Sequence, residues 1–286
     1  MHTIDIYAVV NGVKQKHAFT FPSSWEEATA EHLLTICRVQ TSLKSDTSKR
    51  FTLLRELAGI PGPFMRHLPP AEDLMYRIDV TDRSGPWKPV EKFEWRLLPQ
   101  LDWAFKPPVY TNSLLTSVEV DGVRWRGVQN ELKGMSLAQW IWTTTFLGEL
   151  RKADDSAKEQ VLHELLGLIY VPEGPEAPWN PDLRTERGQA LRTLPVELKL
   201  ATVLNCEAIH ATLPLTYRRV FDPDGEVQRS PAGLYGMAYD VAASGVFGEA
   251  DSAEMQPVMK VLDYMEHKLF QDEVQEAKLE AQRRTN

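Results

Sequence analysis

Glu207 and His210 are the residues whose types and spacing first suggest chemistry. Three apart on a helix, a carboxylate and an imidazole share one face, as in the ligand pairs of carboxylate-bridged di-metal bundles. Such a centre needs a second pair and two further carboxylates. The chain has 7 His, and no other one follows a Glu at that spacing, so no metal is expected here. Asp222-Pro-Asp-Gly-Glu226 begins like a calcium loop but lacks a glycine at its sixth position and a glutamate at its twelfth, and it reads as a turn. No phosphate-loop, zinc-protease or nucleophile-elbow pattern occurs. Gly233 and Gly236 lie within a helical pattern and not after a strand, so they do not form a dinucleotide loop. Cys37 and Cys206 are the only cysteines. Each sits in an apolar run and reads as a small core residue in a reducing compartment. No catalytic residue, metal or cofactor follows from the sequence, and the chain is not expected to be an enzyme.

Composition narrows the alternatives. With Lys+Arg 32 against Asp+Glu 40, the net charge is -8. That opposes general nucleic-acid binding, which needs cations to displace phosphate counterions. The start, Met1-His2-Thr3-Ile4-Asp5, has neither the basic nor the apolar portion of a signal peptide. The longest uncharged run, 134–148, contains Gln139 and three Thr, and is too short and polar to span a bilayer. The 19 prolines predict many short helices and structured loops.

The elements that must position any site are mainly α with β-hairpins, an α+β, multi-helical chain with an N-terminal hairpin. Asn11-Gly12 between two β-prone runs predicts a hairpin over 3–21. Asp121-Gly122 predicts a second near 116–127. Ser23 or Ser24 caps a helix whose buried side holds Ala28, His32, Leu33 and Ile36. Residues 41–49 read as a polar connector, and Phe51–Ala58 as a short helix stopped at Gly59. One or two helices are expected within 64–80, a loop over 81–89, and a strand or turn at 93–98. Ser136 caps a helix carrying Leu137, Trp140, Ile141, Phe146, Leu147 and Leu150. Asp154 opens the next, which Tyr170-Val171-Pro172 ends because a residue before proline is pushed out of helical geometry. Residues 173–187 read as an acidic, proline-rich loop, and Pro195 as the first position of a helix through Ile209. A shorter helix reaches Phe221. Ser230-Pro231 starts a helix with one thin side, and Ser252 to about Arg283 is a last, continuous helix. This order divides into a hairpin-plus-helices region, 1–108, and a helical region, 109–286. Segments 24–61 and 136–172 repeat one order: capped helix, connector, Leu-rich helix, proline stop. An internal duplication and a chance likeness of Leu-rich helices fit this equally.

Four residues stand out as contacts for a partner: Trp142, Trp179, Phe270 and Val274. Trp140 and Trp142, two apart, point to different helix faces. One in the core with one for contact, or both in the core, fit equally. In the last helix, Val261, Leu262, Met265 and Leu269 form a stripe expected to dock. Beyond Val274 the residues are almost wholly charged, and that part is expected to project as a solvated helix or fray, open to a partner.

The segments Leu132 to Trp142, Leu162 to Pro172, Leu194 to Phe221, Gly233 to Asp240 and Val258 to Met265 together carry a resemblance. In order and spacing they are similar to proteins encoded in the tail-gene regions of tailed bacteriophages and prophages. The resemblance implies a non-enzymatic tail-assembly or minor structural protein, acting by contact with other tail or particle proteins. It implies no cofactor, and a place in the host cytoplasm during assembly or in the particle. A component of a phage-like contractile injection particle, and an enzyme with a dispersed site, are the alternatives. Oligomeric state stays open.

Overall fold

Two antiparallel strands open the chain. β1 (His2–Val10) pairs with β2 (Val13–Phe21), in register from His2 opposite Phe21 to Val10 opposite Val13. The computed structural model describes residues 1–10, 13–42, 45–60, 98–174, 178–221 and 233–285. The Asn11-Gly12 turn, the elements expected between 61 and 97, the Asp222–Glu226 turn and the Ser230-Pro231 cap lie outside the described residues. By its internal contacts the chain divides into two units, Met1–Pro108 with Val196–Ala201, and Val109–Pro195 with Thr202–Asn286.

In the first unit, Trp25–Glu27 forms a single 3-10 turn that ends where Ala28 turns extended, at ψ 151. The helix expected to run on from Ser23 or Ser24 therefore restarts. The Thr29 hydroxyl accepts from the His32 amide at 3.3 Å, and α1 spans Ala30–Ser42. Leu33, Ile36, Cys37 and Val39 are its buried side, while His32 is only half-buried. α2 (Asp46–Leu57) begins inside the expected connector, because the Ser45 hydroxyl accepts from the Ser48 amide and supplies a cap. Gly59, at φ 63, ends it. The Ile60 amide then donates back to the Arg55 carbonyl at 2.9 Å, the left-handed closure that glycine permits. A 3-10 run, Leu98–Phe105, buries Leu101 and Ala104. Trp25 meets Trp103 edge-on at 5.0 Å.

The second unit starts from the other hairpin. β3 (Ser117–Val120) and β4 (Val123–Arg126) are joined by Asp121 at φ 51 and Gly122 at φ 75. Both turn residues are left-handed, as a tight hairpin whose strands keep their natural twist requires. α3 (Leu137–Lys152) is capped by Ser136, whose hydroxyl accepts from the Gln139 amide at 3.1 Å. α4 (Asp155–Ile169) is capped by the Asp154 carboxylate, which accepts from the Ser156 and Ala157 amides at 3.0 and 2.9 Å. The helix stops at Tyr170, and the chain continues as β5 (Val171–Pro172), which adds to β4. The extended backbone that proline favours in the residue before it thus becomes a two-residue strand.

The expected loop over 173–187 is shorter than read. A 3-10 turn, Pro181–Leu183, leads into α5 (Arg184–Ala190). This helix crosses α4 at two glycines. A Cβ on Gly167 would stand 2.0 Å from the Arg184 carbonyl oxygen, and one on Gly188 would stand 2.3 Å from that of His163. α6 (Val196–His210), whose residues from Thr202 on belong to this unit, follows Pro195, which at ψ 145 stands just before the helix and not within it. Asn205 on α6 is 1% exposed and ties down the strand approach. Its Oδ1 accepts from the Leu114 amide at 2.8 Å and the Tyr110 hydroxyl at 3.2 Å, and its Nδ2 donates to the Ser113 hydroxyl at 2.9 Å. α7 (Leu213–Thr216) and α8 (Gly233–Ala243) follow.

The last helix is two helices. α9 (Ala250–Glu254) ends at Met255, and α10 (Val258–Thr285) begins after Pro257. Gln256, the residue before proline, is held out of the helix. Its carbonyl accepts from the Leu137 amide at 2.8 Å, and the Val258 amide donates to the Met135 carbonyl at 3.0 Å. This bridge fastens the root of α10 beside the first turn of α3.

Candidate partner-contact site

The Glu207–His210 pair does not form a ligand face. The Glu207 carboxylate turns to Arg151, accepting from its guanidinium at 2.9 and 3.1 Å. His210 Nδ1 lies 3.1 Å from the Thr144 hydroxyl, and Nε2 lies 3.6 Å from Cys206 Sγ. Burial, with the Arg151 guanidinium adding to it, pushes the imidazole down to about 4. Burial also pushes the Cys206 thiol far above its ordinary value. A neutral imidazole beside a protonated thiol is a packed polar contact, not an activated nucleophile. Cys37 is buried and pushed up to about 12 for the same reason. Among the described residues, no group of three or more His, Cys, Asp or Glu could hold a metal ion.

Trp140 and Trp142 take the two roles that their spacing allows. Trp140 is 2% exposed and meets Phe221 edge-on at 6.0 Å. Trp142 is half-buried. The Arg184 guanidinium lies 5.6 Å from its ring centre, and exposed Tyr235 meets it edge-on at 6.4 Å. Trp179 is half-buried and points its indole N–H at the Leu168 carbonyl, 3.0 Å away. It therefore stands as a wall, fixed to the end of α4.

Phe270 and Val274 lie on α10. Phe270 is 43% exposed, with the Arg219 guanidinium 5.0 Å from its ring centre. Val274 is half-buried. Arg219 also binds Glu266 at 2.9 Å and Glu273 at 3.0 Å, and Tyr217 donates to Asp263 at 2.8 Å. These contacts hold α10 as far as its middle. Val258, Val261 and Leu262 are fully buried. The expected docking stripe stops there: Met265 and Leu269 are half-buried. They line a cavity of about 290 Å³ between α8 and α10, together with Asp240, Tyr264, Lys268 and Asp272, so core neighbours cover one side of each only. From Gln275 to Arg284 every residue is exposed, and the backbone stays helical.

A second cavity, of about 240 Å³, was not legible in the sequence. It is lined by Arg126, Lys133, Gln139, Ile169, Trp179 and Met255, among others. Its residues come from β4, the loop before α3 and that helix's first turn, the end of α4, β5, the segment at Trp179 and the Met255–Pro257 bridge. Of the lining residues, the sequence singled out only Trp179 as a contact for a partner. Arg126 and Lys133 lie outside any charge run, and sequence spacing gives no reason to group them.

Among the described residues, no helix is long and apolar enough to cross a membrane. Comparison with protein-family models, with curated proteins and with solved structures gave no match to this chain.

Proposed function

We propose that this chain is a non-enzymatic protein of a phage or prophage tail region, which assists or joins tail assembly through protein–protein contact. One observation carries the reading. α10 is anchored by Val258, Val261 and Leu262, and then continues as a helix whose residues from Gln275 to Arg284 are exposed. Isolated helices of about a dozen residues are marginal in water, so an anchored root makes this stretch a ready template for a partner surface. Leu279, 55% exposed, is its large apolar group, and Phe270, 43% exposed, precedes it on the same helix. Trp142 with Tyr235 offers a second aromatic contact, of the kind enriched at interfaces. The partners are other tail or particle proteins, met in the host cytoplasm during assembly, with retention in the particle as one outcome. No cofactor or nucleic acid enters this reading.

The test begins with the neighbouring reading frames. Tail-tube, tape-measure or baseplate genes are expected beside this one. Co-expression with those neighbours, followed by light scattering on the eluted complexes, should give a defined assembly that deletion of 275–286 weakens by tenfold or more, as a fold-change worth about 1.4 kcal/mol. A metabolic operon around the gene, with no complex formed, overturns the proposal.

A further inference from the structure

The cavity of about 240 Å³ beside the first turn of α3 has a charge unlike that of the chain around it. The whole protein carries -8, yet the cavity lining includes Arg126 and Lys133 and no carboxylate. Both cations are exposed, and neither forms an ion pair among the described residues. The remaining walls are largely apolar: Ile169, Trp179 and Met255, the last 59% exposed. An occupant that satisfies this lining carries a negative charge next to an apolar body.

The walls are built in advance. Gln139 is 7% exposed, and its Nε2 donates to the Leu168 carbonyl at 3.1 Å. The Trp179 indole donates to the same oxygen at 3.0 Å, so one carbonyl at the end of α4 fixes both. Gln129 Nε2 donates to the Thr116 and Gly127 carbonyls, each at 2.9 Å, and closes the strand side. The loop between carries unusual backbone: Glu131 and Leu132 both lie at φ 53, and Gly134 at φ 79. Non-glycine residues rarely adopt such angles, and they persist where surrounding contacts over-determine them, often beside binding sites. Walls fixed before binding reduce the ordering cost of an occupant.

Size selects among anionic ligands. Cofactor and drug-sized ligands occupy roughly 300–1,000 Å³, which is more than this cavity holds. A single amino-acid residue is the better match. A nucleic-acid backbone would want a stripe of cations, and two on an acidic protein do not make one. A terminal residue unites the two requirements at the right spacing, because its carboxylate and its side chain leave the same carbon.

We propose that this cavity receives the C-terminal residue of a partner polypeptide. Arg126 and Lys133 hold its carboxylate, and its apolar side chain rests against Trp179, Ile169 and Met255. The inference rests on the protein-contact function proposed above and names the kind of partner segment. It concerns a surface other than the exposed end of α10, so the α10 deletion and the experiment below fail independently.

Calorimetric titration of the full chain with N-acetylated tripeptides ending in phenylalanine or leucine tests it. A free-acid peptide should bind one per chain with a dissociation constant below about 1 mM, and its C-terminal amide at least about tenfold more weakly. The double variant Arg126→Ala/Lys133→Ala should lose binding to the same extent. Since both side chains are exposed, its thermal melting should be unchanged, and Met255→Ala provides a second variant that weakens binding through the apolar wall alone. Equal binding of acid and amide, full binding by the double variant, or no binding at that affinity overturns the proposal. If N-acetylphenylalanine alone binds as tightly as the tripeptide, the cavity is a site for free small carboxylates, and the assignment to a polypeptide end falls.

Discussion

Glycines 148, 167 and 188 look alike in sequence and differ in what they permit. Gly167 and Gly188 let α4 and α5 touch backbone to backbone, and a methyl on either would overlap a carbonyl oxygen. Gly148 lies within α3, and a Cβ there would have nothing within 4 Å. Gly167→Ala or Gly188→Ala should therefore destabilise the fold by about 1–3 kcal/mol or more. Gly148→Ala should stabilise it by about 0.5–1 kcal/mol, since glycine is costly in a helix interior. Denaturant titration of the three variants checks both signs. His210 makes a second prediction. Its proton affinity is depressed to about 4 in the folded chain, against about 6.5 when unfolded. Between those values the unfolded chain binds the extra proton and the folded chain does not, so stability is full above about 6.5 and falls as the pH drops toward 4. Denaturation midpoints measured across that window should fall less steeply in His210→Gln than in the parent chain. An equal slope would assign the pH dependence to other groups. Sequence spacing placed Glu207 and His210 on one face. It could not show that Arg151, distant in the chain, would claim the carboxylate.

Local signals were legible where the chemistry is local. Ser136 and Asp154 cap the helices they precede, and the Asp121-Gly122 turn takes the backbone angles its residue types favour. Three kinds of feature were not legible. Ser45 capped a helix inside a stretch too polar to show a hydrophobic period. Val171–Pro172 became a strand only because β4 offered an edge. Pro257 itself signals a break in what read as one long helix, but the partners that hold the break, at Met135 and Leu137, are distant in the chain. The two units repeat an order of hairpin, 3-10 turn and two helices, with hairpin strands of 9 residues in one and 4 in the other. Full burial of the stripe on α10 ends about two turns before the spacing predicts. Leu262 is fully buried, whereas Leu269 faces a cavity. Leu262→Ala should cost about 2–5 kcal/mol, and Leu269→Ala distinctly less, because a half-exposed side chain loses fewer contacts. Removal of 275–286 should leave the melting temperature nearly unchanged. Differential scanning calorimetry separates the three, and a large loss on the deletion would mean that the exposed turns do hold the fold.

At the scale of the whole molecule, the division of the chain is unequal in one respect. Cutting between Pro108 and Val109 leaves the second fragment, 109–286, with every residue of its own unit. It would hold both hydrogen-bonding hubs: Asn205 with Tyr110 and Leu114, and Leu168 with Gln139 and Trp179. It also keeps the α4–α5 glycine crossing and the bridge from Gln256 to Leu137. The first fragment, 1–108, loses Val196–Ala201, which belongs to its unit although it lies far along the chain. Folding is cooperative, and a domain's net stability is only about 5–15 kcal/mol. Loss of six residues from a unit's own contacts is therefore a large fraction of what holds it. Fragment 109–286 should melt in one cooperative transition, with a helical spectrum and the His210 pH dependence of the full chain. Fragment 1–108 should unfold at a markedly lower denaturant concentration than the same segment within the full chain. Adding a peptide of 194–203 in excess should raise that midpoint, because a ligand that binds only the folded form stabilises it by mass action. A cooperative, equally stable 1–108 that ignores the peptide would show that Val196–Ala201 is not part of what the first unit needs to fold.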